Sequence, residues 1–515
     1  MASDGPTARS TVGPALLTAA LSTFNTHQGI AGRCAAYHDS SPDPFHGTRT
    51  TCAALDAAGF TCLDEREIWT GLLKAGGKYY YTRNRSCVVG MTIGGKYEAG
   101  NGFKVIGAHL DSPNLRIKPK SKRSGSGCLQ LDVECYGGGL WHTWFDRDLS
   151  LSGRVLVRTP SGGVAQRLVR IDRPVLRVPT LCIHLQTADE REAFKVNKED
   201  HLQPILALEV KKSLEGNGGG DTSGDAPKDA DSEPIWADGQ EPLLLGLLAT
   251  ELDVSVEEIV DFEISLHDTQ KAAITGAANE FLCSSRLDNQ ASCFVAVEAL
   301  IAHANDAAKL DADTDVSLIA LFDHEEIGSD STSGAGSPIM AEAVRRVTTA
   351  MAPAKTGATP LDDDVVAAAL RNSFVLSVDM AHAIHPNYAS KHEKTHAPLM
   401  NKGIVIKSNS NQRYASNGLT SFVVRELARR AALSPPQEFV VRNDCPCGST
   451  IGPIISANTG MRAVDVGMPM LSMHSIREMM GVADLTYCLS LFDAFLTDFR
   501  AIDDNMESDG VFPLE

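Results

Sequence analysis

Asp315-Val316-Ser317-Leu318-Ile319-Ala320-Leu321-Phe322-Asp323-His324-Glu325-Glu326-Ile327-Gly328-Ser329 carries an apolar run into a cluster of charge and then a Gly/Ser turn. A continuous apolar run bounded by polar residues predicts a strand buried on both faces, and in open α/β sheets ligands bind at the carboxyl ends of such strands. Adjacent side chains on a strand or turn point in different directions, so one of Glu325 and Glu326 can hold a metal while the other reaches a water beside it. A solvated acidic turn is the bland alternative. The other apolar strands decide between them, according to whether they too end in metal-ligand residues.

Working outward, Phe103-Lys104-Val105-Ile106-Gly107-Ala108 predicts a strand ending in His109-Leu110-Asp111-Ser112. A histidine with an aspartate two residues on suits a metal ligand whose ring is oriented by a carboxylate, and equally a hydrogen-bonded core pair. Asn372-Ser373-Phe374-Val375-Leu376-Ser377-Val378 is a third buried run, ending in Asp379-Met380-Ala381-His382. Met468-Pro469-Met470-Leu471-Ser472-Met473 is a short apolar run ending in His474. Between them, Ser284-Ser285-Arg286-Leu287-Asp288-Asn289-Gln290 leads into an apolar helix over about 291–303, where Asp288 is either a first-turn acid or a carboxylate projected into a site.

Composition bounds these readings. The 515 residues suggest about two to four domains. A hydrophobic fraction of 43% and 24 prolines are ordinary for a soluble enzyme. No apolar run reaches the roughly 18 residues of a membrane span, and the stretch 14–21 lacks the flanks of a signal peptide, so an amphipathic first helix is expected there. Lys and Arg number 47 against 65 Asp and Glu, and the net charge of −18 argues against nucleic acid and anionic membrane as partners. Twelve cysteines without framework spacing fit reduced thiols and a cytoplasmic setting. Cys445-Pro446-Cys447 could form half a zinc site, but no second pair lies at ligand spacing and two free thiols fit better.

In chain order, residues up to about 70 read as helical and mixed, with Glu65-Arg66-Glu67-Ile68-Trp69 amphipathic. Strand character rises over 79–92, with a turn at Gly94-Gly95. From Cys128 the pattern turns to β-hairpins: Arg154–Arg158 and Gln166–Ile171 around Thr159-Pro160-Ser161-Gly162-Gly163, continued by Val175–Val178 and Leu181–Leu185. The stretch 215–233 is Gly, Asp, Ser and Pro rich and is expected to be a flexible surface loop. Pro242–Leu252 and Ser255–Ile259 are expected to be helical. The domains are therefore expected at 1–125 and 275–515 for a catalytic domain in two pieces, with 126–274 an inserted β-rich module.

Strands alternating with helices predict a mostly parallel sheet covered by helices on both faces, whose carboxyl ends share one edge. His109, Asp288, Glu325, Glu326, Asp379 and His474 can then converge, and two imidazoles with several carboxylates make a reasonable shell for two zinc ions. A mononuclear site of the His-Glu-x-x-His kind is excluded at the opening stretch, because Gly328 stands where the second histidine is required. Neither a Gly-x-Ser-x-Gly elbow with a triad nor a Walker loop is present.

His109-Leu110-Asp111-Ser112, Arg286-Leu287-Asp288-Asn289, Asp323 through Ser329, Ser377-Val378-Asp379-Met380-Ala381-His382 and Met473-His474-Ser475 resemble the successive motifs of the aspartyl aminopeptidases, the M18 family of co-catalytic zinc peptidases. The likeness includes Trp144-Phe145-Asp146-Arg147-Asp148-Leu149 and runs through nearly the whole chain. It implies a zinc-exopeptidase-like catalytic domain with an inserted β-rich dimerisation domain, releasing N-terminal Asp or Glu from peptides. It further implies His109, Asp288 and Asp379 on one Zn2+, and Asp288, Glu326 and His474 on another, with Mn2+ or Co2+ able to substitute. Asp111 is then the orienting residue for His109, and Glu325 the general base for a water shared by two metals roughly 3.5–4 Å apart.

The same resemblance assigns Lys407 to the substrate carboxylate, where composition alone gives a solvated lysine at a strand end. A desolvated pair of this kind would reject neutral side chains by on the order of several kcal/mol. His382 and His396 are placed near the substrate, and His184 near a neighbouring subunit's site, within a homo-oligomer, a tetrahedral dodecamer built from dimers. His392 and His396 have i, i+4 spacing, yet Pro386 and the absence of helical pattern weigh against a third zinc site beside His382 and His385. Two alternatives stand beside this reading: a broad-specificity di-zinc aminopeptidase, and an assembly or cargo scaffold with a vestigial site.

Overall fold

Alternation of side chains explains the architecture of the larger unit. In the strand Val316–Phe322, which is buried throughout, Ile319 and Leu321 join one apolar cluster while Val316, Leu318, Ala320 and Phe322 join another. The computed structural model describes residues 12–209, 236–352 and 363–506, so the expected loop at 215–233 lies outside the described residues.

The chain divides into two compact units, one of residues 1–112, 271–473 and 477–515, the other of 113–270 and 474–476. The first boundary falls after Ser112, earlier than the 125 read from composition, because Asn114–Gly125 pairs with Cys128–Tyr136 in the sheet of the second unit.

The first unit holds a nine-stranded sheet of β1 (Thr61–Cys62), β2 (Lys78–Arg83), β3 (Cys87–Ile93), β4 (Phe103–His109), β5 (Val316–Phe322), β6 (Phe374–Val378), β7 (Val405–Lys407), β8 (Gln437–Phe439) and β9 (Arg462–Gly467). Their order is β1-β2-β3-β5-β4-β6-β9-β7-β8. Five of the eight neighbouring pairs are parallel, namely β1 with β2, β5 with β4, β4 with β6, β6 with β9, and β7 with β8. Register aligns the strand ends: Phe322 pairs with His109, and Ser377 with Gly107 and Asp465.

Helices cover both faces. Gln28–Ser40, Pro44–Ala57, Leu287–Asn305, Gly418–Arg430 and Val482–Asp503 contribute to one cluster, and Ile339–Met351, Asp363–Arg371 and Ile451–Thr459 to the other. Asp43 caps Pro44–Ala57, its Oδ1 accepting the His46 N–H at 3.0 Å with proline at the first position. A smaller sheet in the same unit joins Ala273–Thr275, Phe281–Ser284, Glu478–Gly481, Pro469–Leu471 and Ala381–His382.

The second unit is a six-stranded antiparallel sheet, ordered Val164–Arg170, Leu149–Arg158, Ile259–Asp268, Asn114–Gly125, Cys128–Tyr136 and Ile205–Leu208. Leu244, Leu245 and Leu248 of the helix Pro242–Leu252 share an apolar cluster with Leu151, Val155, Ile264 and Leu266 of that sheet.

Three local expectations are corrected. Glu65–Trp69 forms turns and not a helix, because Trp69 is buried, donates from Nε1 to the Asp64 carbonyl at 3.0 Å and carries the Arg346 guanidinium 3.5 Å above its ring. Ser255–Ile259 contains only the single 3-10 turn Val256–Glu258, since Ile259 already opens a strand paired with Leu149–Arg158. Val175–Val178 makes isolated bridges at Leu176 and Arg177 between Pro174 and Pro179, and Leu181–Leu185 is an exposed turn segment.

Candidate metal centre

Three parallel strand ends and one helix start deliver the site in the first unit. β4 ends in His109, the chain leaving β5 turns through Glu325–Ile327, and Asp379 follows β6. Asp288 enters from the start of the helix Leu287–Asn305, with φ −81° and ψ 105°, outside helical values. Asp288 thus stands at the expected helix start as an acid of its first turn, with its carboxylate beside His109.

Around His109 Nε2 lie Asp379 Oδ1 at 3.5 Å, Asp288 Oδ1 at 3.6 Å and Glu325 Oε2 at 3.8 Å. These separations are too long for hydrogen bonds. Ligand atoms about 2.0–2.2 Å from a tetrahedral zinc stand about 3.3–3.6 Å apart, and the separations from Nε2 to the two aspartates fall in or beside that range. His109, Asp288 and Asp379 offer atoms within 4.8 Å of one another, as do His109, Glu325 and Glu326, and Asp288 offers an oxygen within the same distance of Glu326. Carboxylates crowded around one buried imidazole need cationic compensation, so the donor set fits a metal.

Electrostatics agree with this crowding. Burial pushes the Glu325 carboxyl up to about 8, with Asp379, Asp111 and Asp288 adding to the rise and His109 opposing it. Against the cost of burial, Lys407 and His109 hold Asp379 well below the usual carboxylate range. His109 is held well above the usual imidazole value despite burial, chiefly by Glu325 and Asp111.

His109 Nδ1 is 3.0 Å from the Asp111 carbonyl oxygen and 3.5 Å from its carboxylate, so a main-chain acceptor fixes the ring. The Asp111 carboxylate meanwhile accepts the Glu325 and Glu326 N–H groups at 3.1 and 3.0 Å. Lys407, expected as a solvated lysine on composition alone, is only 2% exposed. Its Nζ donates to Asp379 Oδ2 and to the Met380 carbonyl, each at 3.2 Å, and lies 5.1 Å from the Tyr414 ring centre.

Other expected positions are less central. His382 stands on the short strand after Asp379, its ring 5.4 Å from that of Phe439. His396 Nδ1 pairs with Glu393 at 2.7 Å, and His392 Nε2 accepts the His385 N–H at 3.0 Å, in a segment with no helix between His392 and His396. Among the described residues these histidines form no metal-binding group. His184 lies in an exposed turn of the second unit. His474 belongs to the three-residue segment grouped with the second unit, where Nδ1 is 3.1 Å from the Gly138 carbonyl; donation there leaves Nε2 as the nitrogen carrying a lone pair.

Several supporting residues went unread in the sequence. Glu478 is buried and accepts the Asp288 N–H at 3.0 Å, Ser112 Oγ donates to the Asp288 carbonyl at 2.6 Å, and Asn289 Nδ2 donates to the Val378 carbonyl at 2.7 Å. An acid heading the apolar strand Glu478–Gly481 was the available signal for the first.

A buried histidine ringed by carboxylates at the carboxyl edge of a mostly parallel sheet is a candidate centre of a metal-dependent protein. The family model for aminopeptidase I zinc metalloproteases (M18) matches residues 37–496. A probable aspartyl aminopeptidase of Ricinus communis is 46% identical over 480 residues, covering 92% of this chain and 96% of the relative. An aspartyl aminopeptidase of Aspergillus oryzae is 45% identical, covering 90% and 95%. Among solved structures, Ape4 in a complex with Nbr1 superposes with a TM-score of 0.86 at 40% identity, over 94% of this chain and 88% of that one. The dodecamer of S. cerevisiae mApe1 gives 0.77 at 29%, over 93% and 99%. The chain belongs to the M18 family and is a hydrolase, a metalloaminopeptidase of a zinc-dependent family.

Proposed function

We propose that the chain removes N-terminal Asp or Glu from peptides at a site for two zinc ions. His109, Asp288 and Asp379 hold one ion and Asp288, Glu326 and His474 the other, with Mn2+ or Co2+ able to replace them. When bound, the ions polarise the scissile carbonyl and acidify water. Glu325 takes a proton at its carboxylate and returns it to the leaving amine, and Asp111 holds the peptide groups from which both glutamates project.

The observation that carries the acidic preference is the burial of Lys407 beside a ligand carboxylate. An ammonium has three N–H donors, and Asp379 and Met380 take two. A substrate carboxylate takes the third, whereas a neutral side chain leaves it unmet in a desolvated position, which costs affinity. His382 and His396 flank the substrate. His184 reaches a neighbouring subunit within a homo-oligomer, a tetrahedral dodecamer; the mApe1 relative is described as a dodecamer. The second unit is the dimerisation module, and the twelve free cysteines support a cytoplasmic setting. Among the described residues no helix is long and apolar enough to cross a membrane.

The test compares aspartyl, glutamyl, alanyl and leucyl arylamides on the zinc-loaded chain. Hydrolysis confined to the first two is expected, and equal rates on all four would establish broad specificity in its place.

A further inference from the structure

Asp323 and His324 lie inside the decisive stretch, yet neither ligates nor carries a proton in the reading above. The geometry around His324 gives it work. The chain leaves β5 through Asp323, whose N–H donates to the Ser333 carbonyl at 3.1 Å and whose Oδ1 accepts the His324 N–H at 2.9 Å. His324 then adopts φ +62°, in the left-handed region that L-residues seldom occupy. Gly328 and Ser329 follow with φ +100° and +66°. The two glutamates therefore ride on a reversal bracketed by left-handed residues.

Two bonds of His324 close that reversal. Its carbonyl accepts the Ser329 N–H at 2.8 Å, and its Nδ1 is 2.8 Å from Ser331 Oγ and 3.5 Å from Ser333 Oγ. Nε2 lies 3.4 Å from Asp323 Oδ2. Ser331 Oγ in turn accepts the Gly334 N–H at 3.0 Å. A Cβ on Gly334 would stand 2.2 Å from the Ser329 carbonyl oxygen, so the loop is wound too tightly for any side chain there. On the opposite side Asp111 grips both glutamate N–H groups. The turn is thus held between Asp111 and a loop to which the His324 ring ties it through Ser331.

We propose that His324 is a positioning residue: its ring fixes the Ser329–Gly334 loop against the end of β5 and so sets where the Glu325 carboxylate stands relative to His109. This rests on Glu325 moving the proton. A displacement on the order of 1 Å costs turnover by up to roughly 100-fold, while ground-state binding is little changed.

The experiment uses the zinc-loaded full chain and an aspartyl arylamide, with E325Q as the control on that reading. Turnover by the wild type that falls roughly 10²- to 10⁴-fold in E325Q upholds it; wild-type rates in E325Q, or no wild-type turnover, end it whatever His324 does. H324G keeps the left-handed backbone and deletes the ring, and S331A deletes the ring's partner. Each is expected to lower kcat roughly 10- to 100-fold with KM within about twofold, and with wild-type zinc content and melting temperature. H324G/S331A is expected to be no slower than the slower single variant. H324N, which tolerates the left-handed region and offers an amide to Ser331, is expected to recover part of the lost rate. Wild-type kcat in H324G and S331A, additive losses in the double variant, or losses that track zinc and melting temperature would overturn the assignment. Should H324G fail to fold, S331A and H324N decide the matter alone.

Discussion

The two units build sheets from similar apolar strands and put them to different use. In the first unit the central strands are parallel and buried on both faces, so sequence alternation sorts side chains between two helical layers and the ends of β4, β5 and β6 share one edge. His109, Glu325, Glu326 and Asp379 follow from that edge. In the second unit the strands are antiparallel, successive ends alternate between two edges, and among the described residues no metal-binding group lies wholly within it. Topology, more than composition, decides whether strand ends can pool their chemistry.

The sharpest way to break this contrast is at the parallel edge. Glu325→Gln is expected to lower kcat by roughly 10²- to 10⁴-fold while zinc content stays at the wild-type value; retained turnover would move the proton-transfer role to another carboxylate. Next in size, Lys407→Ala should reduce kcat/KM for an aspartyl substrate by roughly 100-fold and leave an alanyl substrate nearly unaffected. An equal fall on both substrates would make Lys407 a partner of Asp379 only.

The second unit should respond in stability alone as far as its own core is concerned. Leu151→Ala empties a fully buried position and is expected to cost about 2–5 kcal/mol in urea unfolding. A cost near zero would mean that this sheet is loosely packed.

A smaller effect concerns pH. Asp484 is fully buried, accepts the Asn401 and Gly403 N–H groups at 2.6 and 2.8 Å, and is pushed up to about 7 by that burial, the backbone donors opposing. Between its ordinary value of 3.8 and about 7 the folded chain holds a proton that the unfolded chain has released. Its contribution to stability is therefore full below about pH 4 and lost as pH rises toward 7, by at most about 1.4 kcal/mol per pH unit. Asp484→Asn should flatten the pH 5–7 slope of the unfolding free energy, and an unchanged slope would assign the slope to other groups.

Much of this was legible in the sequence because it is periodic or positional. The apolar runs of β4, β5 and β6 announced doubly buried strands, and each stopped at a ligand-type residue. Lys407 had no such signal, since its burial depends on Asp379, Met380 and Tyr414, which β6 and the following segments bring to it. The doubled use of Asp111 was also hidden: its main-chain carbonyl serves His109 while its carboxylate serves the glutamate turn 214 residues away. Glu65–Trp69 misled for the opposite reason, because local amphipathicity yielded to a tertiary contact between Trp69 and Arg346. Val175–Val178 makes only isolated bridges and Leu181–Leu185 is a turn segment, with Pro174 and Pro179 unable to donate to a ladder between them.

The most direct test of the central claim is hydrolysis of an aspartyl arylamide by the zinc-loaded chain, after chelation, and after zinc is returned, with an alanyl arylamide run beside it. Turnover of the aspartyl substrate that vanishes with the metal, returns with it, and exceeds alanyl turnover by roughly 100-fold is the expected result. Metal-independent turnover, or equal rates on the two substrates, would contradict it.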